Sequence, residues 1–269
     1  MKRIVLTCVL LVLIGPRIAG AALATPIGVL SEMLSAMNTP SARCGETTLG
    51  NVAADAVRMV AGADIAILNG GDFRGNLRGG EVSYEDILAV FSDNKPLAAV
   101  VISPAELKSI LEQSVSHMTT DIHDRIDLSA SAYDGFPQIS GFSFRYDISA
   151  VAGQRVLNIV LNDGTEPDLT VTSVSITLAA TEFMLSGGYG MPVFNNARAL
   201  DTTLAESLAA YIYSSGTVDE PALNRISYIG SLSGAFASGV GSRVIIIVAA
   251  IVICFGVIKV KGGATPGRK

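Results

Sequence analysis

Two uncharged apolar runs, residues 4–14 and 244–258, lie near the ends of this 269-residue chain and confine any folded domain to roughly 220 residues between them. The first run follows Lys2 and Arg3 and leads to Ala19-Gly20-Ala21-Ala22-Leu23-Ala24. That is the layout of a secretory signal, with A-x-A cleavage sites ending at Ala21 or Ala24; a buried first helix is the alternative. Pro16 and Arg17 break this run too early for a membrane span. The second run would cover roughly 22 Å as a helix, short of the ~30 Å hydrocarbon core. Arg243 and Lys259 flank it and lengthen it by snorkelling. Beyond it stand Lys259, Lys261, Arg268 and Lys269 and no acid, which predicts a cytoplasmic tail. A lipid-anchor signal would instead end in its hydrophobic stretch. The expected organisation is therefore a signal peptide (1–24), one domain (25–230), a Gly/Ser/Ala-rich stalk (231–243), a transmembrane helix (244–260) and a basic tail (261–269). That arrangement makes a type I single-pass protein of the secretory pathway, its domain extracellular or lumenal.

Charge is divided unevenly between these parts. All 24 acids lie in the middle, whereas seven of the 19 Lys and Arg (Lys2, Arg3, Arg17, Lys259, Lys261, Arg268 and Lys269) lie in the end segments. Twelve basic residues against 24 acids leave the middle at −12, which argues against a nucleic-acid partner, since binding phosphates needs clustered positive charge. With 49% apolar residues the chain is not intrinsically disordered. Cys44 is the only cysteine of the domain, because Cys8 and Cys254 fall in the apolar runs. No internal disulfide is available, and Cys44 is either a small buried hydrophobe or a thiol for intermolecular pairing.

The hydrophobic period switches repeatedly between helix and strand. Thr47 or Thr48 is placed to cap a helix carrying Val52, Ala53, Ala56, Val57 and Val60. Residues 64–68 form a short apolar run suited to a buried strand, which empties into Asn69-Gly70-Gly71. Ser83-x-x-Asp86 reads as a capping box, 97–102 as a strand, and Ser103-Pro104-x-Glu106 as a helix start. Residues 116–135 read as a long polar loop. Phe142, Phe144 and Tyr146 alternate as in a half-buried strand that pairs with 155–161. A strand over 171–179 and a helix over 203–214 follow. The order predicts a mixed α/β domain of layered sheets and helices, with antiparallel hairpins in its second half.

Known catalytic constellations are absent. Asp121-Ile122-His123 has the D-x-H form that opens a di-metal phosphatase site, but the further acids, Asn and histidines such a site needs do not follow. Coincidence in a solvated loop is the simpler account. No G-x-S-x-G and no P-loop lysine occurs. Asn69-Gly70-Gly71-Asp72-Phe73-Arg74 follows a strand, so its backbone N–H groups are candidates to face an anion, with Arg74 as the charged donor. A tight turn with a solvated arginine is the alternative.

Several segments resemble the 5′-nucleotidase C-terminal domain. Residues 43–56, RCGETTLGNVAADA, are similar to its R-x-x-E-T-N-L-G-N-L-x-A-D-A opening, and 64–74, DIAILNGGDFR, to A-D-x-A-x-x-N-G-G-G-I-R. Further on, 80–88 resembles G-x-I-T-Y-x-D-V-L, and Leu107 and Leu111-Glu112 sit where that family has an L-K-x-x-L-E helix. Residues 136–141 are similar to F-x-Q-V-S-G, 183–190 to F-L-x-x-G-G-D-G, and Arg225-Ile226 to a closing G-R-I. The resemblance spans about residues 26–229. It implies a domain that holds the nucleotide, while a separate metallophosphatase domain binds two divalent metals and performs hydrolysis. Arg43, Asn69, Gly70, Gly71 and Arg74 then fall on the phosphate side, and Phe183 on one of two rings that sandwich the base.

Three departures accompany it. Asp72 replaces the third glycine of N-G-G-G and is expected to repel phosphate. Phe91-Ser92-Asp93-Asn94 stands at P-F-G-N, removing the second stacking Phe, and Tyr189 replaces the ribose-binding Asp of G-G-D-G. The expected function is a membrane-anchored, nucleotide- or nucleoside-binding domain of a nucleotide-catabolising family. It has no catalytic or metal-ligating residue and no cofactor of its own, and it works with a separately encoded metallophosphatase chain. A surface interaction protein with a vestigial pocket, and a gene whose catalytic half lies upstream, are the alternatives.

Overall fold

The computed structural model describes residues 23–121 and 125–230. Most of the expected signal segment, His123, and the expected stalk, membrane span and basic tail lie outside them. Among the described residues no helix is long and apolar enough to cross a membrane.

Side-chain caps start the helices where the sequence places them. Thr47 caps α1 (Thr48–Ala61) by accepting from the Gly50 N–H, and Gly62 ends it in the left-handed region at φ 61°. Ser83 and Asp86 cap α2 (Tyr84–Val90), and Ser103 and Glu106 cap α3 (Pro104–Ser114); in each pair the acid accepts from the serine's own N–H. Helix α4 (Glu182–Leu185) is a single turn. Thr203 and Glu206 form the same box at α5 (Leu204–Ser215), at the start of the helix expected over 203–214.

Eleven strands are described: β1 (Pro26–Leu30), β2 (Ile65–Asn69), β3 (Gly80–Ser83), β4 (Pro96–Ile102), β5 (Pro137–Ser140), β6 (Phe142–Asp147), β7 (Val156–Leu161), β8 (Ile176–Thr181), β9 (Arg198–Thr203), β10 (Thr217–Val218) and β11 (Ile226–Ile229). The central sheet has the order β5-β2-β8-β4-β9, with β2 and β8 parallel and the other pairs antiparallel. Two three-stranded sheets, β10-β1-β3 and β11-β6-β7, complete the layers. Strand β2 is buried on both faces. Ala66 and Leu68 join the core of α1, α2 and α5, whereas Ile65 and Ile67 join that of α3 and the β6 aromatics.

The mixed α/β class and the β6–β7 hairpin agree with expectation, but the strand expected over 171–179 begins only at Ile176. Asp168 accepts from Thr170 N at 2.9 Å, and its carbonyl takes the Val171 N–H, so an Asx turn occupies the segment's start. The parallel pairing of β11 with β6 was not legible locally. Cys44 is buried, as its apolar alternative predicts.

One buried polar network joins the layers. Gln138, fully buried on β5, accepts from Thr47 N at 3.0 Å and Thr47 Oγ1 at 2.9 Å. It donates to the carbonyls of Ala42 at 3.1 Å and Gly45 at 2.8 Å. Glu46 accepts from the backbone N–H groups of Asn224, Arg225 and Ile226 and from Asn51 Nδ2. The Arg225 guanidinium is bidentate on Asp55, at 2.9 and 2.8 Å, and donates to the Ile139 carbonyl at 2.7 Å. Replacing Gln138 by Leu keeps volume but strands the Thr47 N–H and two carbonyls in a dry interior. Since each of the three orphans costs about 1–3 kcal/mol, the expected loss in urea unfolding is at least ~3 kcal/mol. A loss below ~1 kcal/mol would mean that other groups satisfy the segment.

Candidate functional site

Strand directions bring the candidate residues to one edge of the central sheet. Parallel neighbours β2 and β8 end side by side, β2 running into the 3-10 turn Gly70–Asp72 and β8 into α4, which carries Phe183. The antiparallel strands begin at the same edge. Asn69 stands opposite Pro137, so Tyr133 and Asp134 arrive just before β5; Leu97 stands opposite Thr181, so Lys95 arrives just before β4.

The contacts there form a continuous chain. Lys95 Nζ donates to Asp72 Oδ1 at 2.6 Å and lies 4.8 Å from the Phe183 ring centroid. Phe183, 42% exposed, meets the Tyr189 ring edge-on, with centroids 5.0 Å apart. Tyr189 meets Tyr133 edge-on at 6.3 Å, and Tyr133 Oη donates to the Tyr189 carbonyl. Gln113 Nε2 holds both, donating to Tyr133 Oη at 3.1 Å and to the Tyr189 carbonyl at 3.2 Å. Arg43 Nε donates to Asp134 Oδ1, with the two side chains 27% and 45% exposed. His117 stacks on Tyr133 at 4.0 Å.

Arg43, Gly71 and Phe183 thus join one cluster, and Asn69 joins it through its N–H, which Asp72 Oδ2 accepts at 3.1 Å. Both polar atoms of the fully buried Asn69 side chain lack a partner. No hydrogen bond, ion pair or ring contact ties Arg74 to the cluster; its side chain is exposed.

The expectation that the glycine amides face an anion is corrected. Gly70 N donates to the Phe136 carbonyl at 2.7 Å, and Gly71 N to the Asp134 carbonyl at 2.8 Å. These glycines serve close approach instead. A methyl on Gly70 would lie 2.1 Å from the Ala42 carbonyl oxygen; on Gly71 it would lie 2.8 Å from both Asp134 Cγ and Tyr189 Oη. Asp72, expected to repel phosphate from this loop, instead turns its carboxylate inward, where it is fully buried and pairs with Lys95. Burial pushes the Asp72 carboxyl above its ordinary value of 3.8, against the pull of the Lys95 ammonium and the Asn69 N–H. Phe91 is buried against Phe73 and offers no platform, as expected from the altered motif.

Tyr189 turns towards the site in a left-handed backbone, φ 53°, the only positive φ at a non-glycine among the described residues. Such a conformation costs of order 1–2 kcal/mol and persists because Tyr133 and Gln113 grip its carbonyl. Burial is the main cause that raises the Tyr189 hydroxyl above its ordinary value. Lys95, Gln113, Tyr133 and Asp134 escaped sequence reasoning. They carry no motif, and only the strand register brings them here.

Among the described residues no group of three His, Cys, Asp or Glu side chains is placed to hold a metal ion. Asp121 of the D-x-H is bound by Arg125, at 3.1 and 2.8 Å. Two concavities lie elsewhere. One of about 320 Å³ is lined by Ala98, Leu185, Val193 and Phe194; one of about 140 Å³ lies over Ser143, Arg145 and Asn158. The candidate site is an open ledge beside the first.

Residues 26–196 match the family described as 5′-nucleotidase, C-terminal domain. The chain is 28% identical over 160 residues to the trifunctional nucleotide phosphoesterase protein YfkN of Bacillus subtilis (strain 168), covering 58% of this chain and 10% of that one. It is 28% identical over 177 residues to protein UshA of Escherichia coli (strain K12), covering 65% and 28%. Its fold is similar to the 5′-nucleotidase precursor from Thermus thermophilus, with a TM-score of 0.67 at 23% identity over 79% of this chain and 41% of that one. It is also similar to the NAD nucleotidase NadN of Haemophilus influenzae, with a TM-score of 0.63 at 13% identity over 80% and 40%. The chain therefore spans well under half the length of these relatives.

The buried Lys95–Asp72 pair sets a test of the ledge. Lys95→Met leaves the Asp72 carboxylate buried without its counter-charge, and the expected loss at neutral pH is about 3–5 kcal/mol. An acid whose folded pKa is raised loses stability as pH climbs from its unfolded to its folded value. Removing Lys95 widens that window upward from 3.8, so the deficit grows with pH and shrinks in acid. Adding Asp72→Asn to Lys95→Met should restore most of the loss. Urea unfolding of the single and double variants across pH checks this.

Proposed function

Because the chain belongs to the family of 5′-nucleotidase C-terminal domains, we propose that its domain holds a nucleotide or nucleoside for a nucleotide-hydrolysing system and does not itself hydrolyse it. The observation that carries this reading is the aromatic ledge. Phe183 is held out at the sheet edge by Tyr189 and Lys95, and the contact chain runs on through Tyr133 to Asp134 and Arg43. An exposed ring with converging polar groups is a platform for a flat heterocycle, worth about 1–3 kcal/mol per stacked base. Gly70 and Gly71 leave room for the close approach of Ala42, Asp134 and Tyr189 to the turn, and Arg74, exposed and without contact to the cluster, is the free cation of the same turn.

The nucleotide phosphoesterase activity of YfkN, with which the chain shares 28% identity, supports the substrate class. The catalytic metals, with the acids and histidines that bind them, would come from a metallophosphatase part, supplied by a separately encoded chain docking over the ledge. The signal-like and membrane-span-like runs of the sequence support a single-pass protein whose domain faces outward. The acidic middle of the chain supports a nucleoside-type ligand over a nucleic acid. A second reading is a surface interaction protein with a vestigial pocket. It is favoured by one observation, the commitment of the Gly70 and Gly71 amides to protein carbonyls.

Calorimetric titration of the full chain with AMP, adenosine and inorganic phosphate, without metal, separates the two readings. A saturable response to AMP or adenosine is expected, weakened about 5- to 100-fold in Phe183→Ala. A flat response up to millimolar ligand would establish the vestigial reading in its place.

A further inference from the structure

The charges on the ledge are already balanced. Arg43 is paired with Asp134 and Lys95 with Asp72, so two cations meet two carboxylates and no net positive charge is left for a phosphate. The loop amides that could have compensated donate to the Phe136 and Asp134 carbonyls. Arg74, the remaining cation of the glycine turn, has no contact with the cluster. Asp72 is sealed in the interior, but Asp134 is not. Its side chain is 45% exposed, Arg43 takes one of its oxygens, and its carboxyl carbon and the Tyr189 hydroxyl both close on Gly71.

From this we infer that the ligand is an uncharged nucleoside rather than a nucleotide, and that Asp134 reads its sugar hydroxyls while turning phosphate away. The inference rests on the reading of the ledge as a nucleoside platform and narrows it. A carboxylate held by an arginine and keeping free lone pairs accepts from the two O–H groups of a ribose diol. A heterocycle lying on Phe183 has its sugar within reach of the next groups along the contact chain, Tyr189 and Asp134. The same carboxylate opposes a dianion, since like charges at contact distance repel strongly where water is partly excluded. Asp134 is thereby a specificity-determining residue, and it stands in a loop that no motif marks.

Binding of the four ribonucleosides, their 2′-deoxy forms and their 5′-monophosphates to the full chain tests this. At least one ribonucleoside should bind tenfold or more tightly than its monophosphate and its 2′-deoxy form. The preference over monophosphate should grow at low salt, where the repulsion between the Asp134 carboxylate and the dianion is less screened, whereas a cationic site would show the opposite trend. In Asp134→Asn the deoxy discrimination should fall to within threefold and the monophosphate should gain. Should that variant misfold, the wild-type ligand series decides alone. Monophosphate binding equal to or tighter than nucleoside would overturn this inference and leave the platform reading standing. Equal affinity for ribo and deoxy forms would remove Asp134 from its role. Absence of binding by every ligand of the series would overturn both.

Discussion

The carboxylate of Glu46 accepts from three consecutive backbone N–H groups, those of Asn224, Arg225 and Ile226, and the far end of the domain hangs from that contact. Backbone leading into a strand cannot satisfy itself, and buried N–H groups left open cost as much as a lost hydrogen bond. Once Glu46 has fixed this segment, Arg225 reaches back to Asp55 on α1 and to the Ile139 carbonyl on β5, and β11 falls beside β6. Gln138 does the equivalent for the turn before α1, holding Thr47, Ala42 and Gly45 to β5. Two side chains, one acid and one amide, thus clamp the N-terminal turn, the central sheet and the last strand together. The apolar cores then fill spaces whose borders these polar contacts have set.

That clamp also explains why the ledge lies where it does. Gln138 and Pro137 fix β5 against β2, which places Asp134 over the glycine turn. The carbonyls of Phe136 and Asp134 then take the Gly70 and Gly71 amides, so a turn that looks made for an anion is used to join two chain segments. Asp72 can point inward only because Lys95 enters from β4 at the same edge. The pair neutralises a buried charge and puts an ammonium under Phe183. Packing and site chemistry are therefore one arrangement.

Elements that state themselves locally were legible in the sequence. Ser83 with Asp86, and Ser103 with Pro104 and Glu106, carry complete helix starts within four residues, and Phe142, Phe144 and Tyr146 announce a half-buried strand. The family resemblance singled out Arg43 and Phe183, both of which stand in the contact chain of the ledge, and Asn69, which joins it only through its backbone N–H. The rest depended on partners distant in sequence. β10 is two residues long and β11 four, and each exists because another strand receives it. The inward turn of Asp72 depends on Lys95, 23 residues away, and the role of Asp134 on Arg43, 91 residues away. The strand expected from Val171 failed because Asp168 and Thr170 form a turn there, a local signal outweighed in the reading by apolar periodicity.

The residues behind the resemblance divide into two sets with different fates. Glu46, Thr47, Asn51, Asp55, Gln138, Ser140 and Arg225 stand in the buried polar network, where most of the bonds join segments distant in sequence and a change at Gln138, Glu46 or Arg225 orphans several others. The ledge is looser. Tyr189 and Asp72 depart from the family pattern, yet each departure comes with its own compensation. Tyr133 and Gln113 hold Tyr189 in its left-handed backbone, and Lys95 neutralises Asp72. A chain under these constraints keeps the fold while its exposed edge is free to change what it binds. Family membership therefore fixes the architecture firmly, while the ligand follows from the ledge's own charges. Those charges cancel, and a site whose cations are already paired favours a ligand that brings no charge of its own.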